Sequence, residues 1–85
     1  MTGLPRRHGP EYQRLAARLT EARGLAGMTQ TQAAAALGRP QSFIAKVEAG
    51  ERRVDALELS ALARLYGCPL AFFNVEPEGE MKEKG

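Results

Sequence analysis

The residues with most chemistry to offer sit within six positions of one another: Gln41, Ser42, Ala45 and Lys46. In a helix begun at Gln41 and advanced by about 100° per residue, these four fall on one arc. Phe43, Ile44, Val47 and Glu48 fall on the opposite one. The first arc carries hydrogen-bonding groups on short stalks with a small residue between them. Glutamine can bond adenine bidentately, serine can bond several bases, lysine can reach guanine or phosphate, and alanine leaves room for a thymine methyl. That is the chemistry of a side that reads base edges in a groove. Any solvated helix also turns polar residues outward, so the arc alone leaves both readings open.

Other chemistries find less to work with. Ser42, Ser60, His8 and Asp55 can be drawn into a hydrolytic triad on paper, but His8 falls in a segment broken by Gly3, Pro5, Gly9 and Pro10, and no nucleophile elbow is present. The sequence has no Gly-rich phosphate loop and no metal-ligand spacing. One cysteine, Cys68, and one histidine, His8, cannot close a bridge within the chain or fill a structural zinc shell. Cys68 reads as a cap or a small buried residue rather than a redox sensor. The expectation is a chain without enzymatic activity, catalytic residues, cofactor or metal.

The elements that position the Gln/Ser/Lys arc are helical. Eighty-five residues, 44% apolar, make one small domain with one core. Tyr12, Leu15, Ala16, Leu19, Ala22 and Ala26 recur at three-and-four spacing and predict a first helix ending near Gly27. Thr29 and Gln32 match a capping box, so a second helix runs from about Gln30 to Leu37, with Gly38 free to adopt the left-handed stop. Its four consecutive alanines, Ala33 to Ala36, allow close approach to a neighbour. Pro40 suits the cap or first turn of a third helix, Gln41 to Glu48. Asp55 and Glu58 repeat the capping-box spacing, with Val54 and Leu59 placed as a hydrophobic staple, and open a fourth helix that Gly67 ends. A fifth, short helix follows, with Pro69 in its first turn and Leu70, Phe72 and Phe73 to bury. The fold expected is all-α, a compact five-helix bundle. Residues 11–74 form its folded part, 1–10 a flexible N-terminal arm and 75–85 an acidic C-terminal tail.

Charge is distributed unevenly along the chain. Residues 1–53 hold nine Lys/Arg against four acids, whereas from residue 54 onward three bases face six acids. A polyanion-binding face opposite a neutral or acidic one produces such polarity, although a solvated surface can also be lopsided. The longest apolar run is five residues, Ala33 to Leu37, too short for a membrane span. The N-terminal basic residues lead into no apolar stretch, so no secretory signal is expected, and a cytoplasmic location is.

The spacing between the second and third helices narrows the reading. Ala34, then Gly38 four residues on, then Ile44 and Val47, is the pattern that packs two short helices across a tight turn. The run from Thr29 through Gly50, continuing as Gly50-Glu51-Arg52-Arg53-Val54-Asp55, resembles the helix-turn-helix of the Cro/C1-type (XRE) bacterial and phage regulators, whose fold is that of the lambda-repressor-like DNA-binding domains. The resemblance covers about residues 11–74. It implies that Gln41, Ser42 and Lys46 read base edges in the major groove, with Ala45 in the same arc. It also implies that Gln30, at the start of the second helix, contacts phosphate, that Arg39 in the turn reaches phosphate or a flanking base, and that Arg52 and Arg53 grip the DNA backbone. Arg23 and Glu48 match an internal ion pair and count as scaffold. Two positions depart from the family pattern: Pro40 stands where a capping Ser or Thr is common, and Phe43 is bulkier than the usual residue, though its angular position lies with the core arc.

Two adjacent aromatics on a short helix cannot both face inward easily, so Leu70, Phe72 and Phe73 are candidates for a dimer contact. A homodimer through the fourth and fifth helices would double the contacts on a palindromic operator, reading half-sites about 34 Å apart. The function expected is a sequence-specific double-stranded DNA-binding transcriptional regulator, a repressor in the first instance. A phage-type repressor, a restriction–modification controller and the antitoxin of a toxin–antitoxin pair share the fold. A protein–protein adaptor that kept the fold and lost DNA binding is the alternative from another class.

Overall fold

The computed structural model describes residues 9–73. Residues 1–8 and 74–85, which contain His8, most of the expected arm and the whole of the expected tail, lie outside that range. Four α-helices follow one another: α1 (Pro10–Leu25), α2 (Gln30–Ala36), α3 (Gln41–Glu48) and α4 (Ala56–Tyr66). A 3-10 turn, Leu70–Phe73, comes last. Among the described residues there is no strand.

The expected fifth helix is therefore corrected to a single turn of 3-10 type. Gly67, at φ 72°, stops α4 in the left-handed region. Pro69 then starts a new direction, and its carbonyl accepts from the Phe72 N–H at 2.9 Å, an i→i+3 bond. Pro10, expected in the arm, instead opens α1, where the missing N–H belongs to a donor that has no intrahelical partner anyway.

The other boundaries have local causes. The Thr29 hydroxyl accepts from the Gln32 N–H at 3.0 Å while Gln32 Oε1 accepts from the Thr29 N–H at 2.9 Å. Asp55 and Glu58 do the same at the head of α4, at 2.7 and 3.0 Å. Each box closes two backbone donors that would otherwise be orphaned. Gly38 bends the chain between α2 and α3 at φ 70°, a conformation that a side chain would resist.

The core is small and built on close approach. Leu19, Ile44, Val47 and Leu62 are its largest fully buried side chains, and Ala22, Ala33 and Ala34 bring the helix backbones together around them. Tyr12 and Ala16 continue the buried stripe of α1, whereas Ala26, expected on it, is exposed beyond the helix end. Phe73 closes the core from the 3-10 turn at 3% exposure. The consequence for α3 is that one side is locked into the body and the other is left outside.

Candidate nucleic-acid interface

On α3 the two arcs separate cleanly. Phe43, Ile44 and Val47 are buried, Gln41, Ser42 and Lys46 are exposed, and Ala45 is half-buried between them. Among the described residues Lys46 makes no side-chain ion pair or hydrogen bond. The face is held in place by the apolar arc, not by its own contacts.

Gln41 is the exception, because a chain of hydrogen bonds reaches it from inside the protein. Arg23 on α1 donates from Nε to Glu48 Oε2 at 2.7 Å, from Nη2 to Glu48 Oε1 at 3.0 Å and from Nη1 to the Met28 carbonyl at 2.9 Å. The Glu48 side chain is only 7% exposed, so this fork–fork pair ties α1, the loop before α2 and α3 together. Glu48 Oε1 also accepts from Gln30 Nε2 at 3.0 Å, and Gln30 Oε1 accepts from Gln41 Nε2 at 2.7 Å. A carboxylate only accepts, so it forces Gln30 to present its NH2 inward and its carbonyl outward, which forces the same on Gln41. One Nε2–H and the Oε1 of Gln41 remain, a donor and an acceptor on the same amide. Burial pushes the neighbouring Tyr66 phenol up to about 12, with the Glu48 charge acting in the same direction, so that ring stays neutral beside the pair.

This relay gives Gln30 a task that the sequence did not suggest. Expected to meet phosphate, it spends one Nε2–H on Glu48 and its carbonyl on Gln41, and only its second Nε2–H is left for an outside acceptor.

The arginines around α3 are also more constrained than free phosphate ligands. Arg39 donates from Nη2 to Glu58 Oε2 at 2.8 Å, and Arg52 donates to both oxygens of the same carboxylate, at 3.1 and 3.2 Å. Both guanidiniums lie over the Phe43 ring, 4.3 and 4.7 Å from its centre. Arg52 chiefly, with the Asp55 N–H and Arg39, holds the Glu58 carboxyl down at about 2 against the opposing effect of burial. Arg53 is exposed, with its guanidinium 5.7 Å from the centre of the Tyr12 ring.

Two tethers fix the loop that carries Arg52 and Arg53. The Tyr12 hydroxyl donates to the Arg52 carbonyl at 2.6 Å, and Gln13 Nε2 donates to the Gly50 carbonyl at 3.1 Å. Sequence reading missed both, since a side chain to backbone contact across 40 or 37 residues leaves no local pattern.

The dimer candidates separate in the structure. Phe73 is turned into the core and has no surface to offer, because its ring belongs to the buried cluster that holds Leu19, Ile44 and Leu62. Phe72 is half-buried, edge-on to Phe73 at 5.2 Å, and the Arg18 guanidinium lies 5.0 Å from its ring centre. Leu70 is 55% exposed, and Leu57 on α4, which the sequence reading did not single out, is 82% exposed. Cys68 is half-buried and unbridged.

No cluster of three or more potential metal ligands occurs among the described residues. None of their helices is long and apolar enough to cross a membrane. Comparison with curated proteins gave no match. A family model described as helix-turn-helix matches residues 19–73, from the middle of α1 to the end of the 3-10 turn. That span covers well over half of the chain and contains the whole α2–turn–α3 unit with its Gln/Ser/Lys face. The chain belongs to the XRE-type (Cro/C1-type) family of DNA-binding helix-turn-helix regulators.

Proposed function

We propose that this chain is a sequence-specific regulator that inserts α3 into the major groove of double-stranded DNA and represses transcription where it binds. One observation carries the reading. Gln41 is exposed on α3, yet its amide is oriented by a relay that begins at a partly buried ion pair. A surface side chain oriented from within is pre-organised for a partner outside. The donor and acceptor left over match N7 and N6 of adenine. Ser42 and Lys46 extend the same face, and Ala45 leaves space for a methyl group.

Around this reading head, Arg39, Arg52, Arg53 and the second Nε2–H of Gln30 supply the backbone contacts that fix register. A body seated in a promoter groove excludes other proteins from that DNA, which makes repression the direct consequence of occupancy.

The chain acts as a homodimer through α4 and the turn after it, where Leu57 and Leu70 expose apolar surface. Selection of bound duplexes from a random pool tests the whole reading. The expected result is an inverted repeat whose half-sites lie about 34 Å apart centre to centre. A pool that stays random contradicts sequence-specific binding. A single unrepeated half-site, with one chain sedimenting per duplex, contradicts the dimer.

A further inference from the structure

As the N3 member of a capping box, Glu58 would need only to accept from the Asp55 N–H, which its Oε1 does at 3.0 Å. The carboxylate does considerably more. Oε1 also takes Arg52 Nη1 at 3.1 Å, and Oε2 takes Arg39 Nη2 at 2.8 Å and Arg52 Nη2 at 3.2 Å. Arg39 precedes α3 and Arg52 follows it, so one carboxylate from α4 gathers guanidiniums from both ends of the helix onto the ring of Phe43. The Glu58 side chain is 13% exposed, while those of Arg39 and Arg52 remain 39% and 41% exposed. The anion is shielded and the cations face out. Two cations on one anion leave a net positive charge at the surface.

We infer that Glu58 is a positioning residue for DNA: it locks Arg39 and Arg52 into one pre-formed pair of phosphate contacts flanking α3, trading net charge for orientation. The inference rests on the DNA-binding reading above. Arginine side chains lose much rotamer freedom when they bind, and holding them beforehand removes that loss from the binding step. Two unrestrained guanidiniums would also attract any polyanion, so the carboxylate lowers attraction to random sequence while sharpening the fit to a duplex seated in the right register.

The test uses Glu58→Gln, since glutamine at N3 retains the capping contact and removes the charge. Circular dichroism melting checks that the variant folds. Affinity is measured for the duplex recovered by random-pool selection and for a random-sequence duplex, with wild type, Glu58→Gln, the double variant Arg39→Ala/Arg52→Ala, and all three substitutions together. In free protein, 15N relaxation at the two Arg Nε sites reports their order. The expected results are lower order at both arginines in Glu58→Gln, roughly tenfold weaker binding to the selected duplex with unchanged or tighter binding to the random one, and no further change when Glu58→Gln is added to the double variant. Equal strengthening on both duplexes would make Glu58 a plain competing charge and overturn the inference. So would an unchanged ratio, or a loss of ratio that persists without the two arginines. A wild-type chain that prefers no duplex sinks the DNA-binding reading itself; a selective wild type with an equally selective Glu58→Gln sinks only the inference.

Discussion

Two carboxylates govern what the exposed side chains can do. Glu48 fixes Gln41 through Gln30, and its removal strands Arg23, whose side chain is only 18% exposed. Glu48→Ala should destabilise the fold by about 2–4 kcal/mol, the cost of leaving a partly buried charge without its partner. An unchanged melting temperature would show that the pair contributes nothing. Glu58 titrates at about 2 in the folded chain, against an ordinary 4.5. Its contribution to stability is thus complete above about pH 4.5 and is lost as the pH falls toward and through 2. Because the arginines that hold it are more than a third exposed, the amount is discounted to about 1–2 kcal/mol. Urea unfolding of wild type and Glu58→Gln should therefore differ at pH 6 and converge near pH 2. A gap that stays constant would contradict the depressed carboxyl.

At the scale of elements, the two bends around α3 are predicted to respond differently to a methyl group. Gly38 and Gly50 have similar left-handed backbones, φ 70° and 77°. A Cβ at Gly38 meets open space, so Gly38→Ala should cost about 1 kcal/mol of backbone strain. A Cβ at Gly50 collides with the Gln13 side chain, which bonds the Gly50 carbonyl, so Gly50→Ala should cost more and free the Arg52–Arg53 loop as well. Equal melting temperatures for the two variants would count against the tether. The contrast also marks what the sequence could tell. Caps were legible because Thr29 with Gln32, and Asp55 with Glu58, act within four residues. The buried arc of α3 was legible from its period. The last helix was not, since whether four residues close 3-10 or α bonds depends on what they pack against. Nor were the Gln30 relay, the arginine pair on Glu58 or the Tyr12 and Gln13 tethers, each of which joins side chains or backbone of different elements rather than neighbours within one. Phe72 and Phe73 look alike as letters, and only the shape of the core decides which ring goes in.

For the whole molecule, surface and scaffold divide the work. Apolar burial locks one side of α3, an ion pair and two amides aim the other, and arginines at both ends address the backbone. The division predicts unlike behaviour from two exposed residues on the duplex recovered by selection, with every base position varied in turn. Arg53→Ala should weaken all sequences alike and lower the salt slope by about 1. Gln41→Ala should abolish the preference at one base pair, worth roughly 1–3 kcal/mol, and leave the other positions and the salt slope as they were. If Gln41→Ala instead leaves every base preference intact, or weakens all sequences uniformly as Arg53→Ala does, then α3 does not read the groove and the account fails.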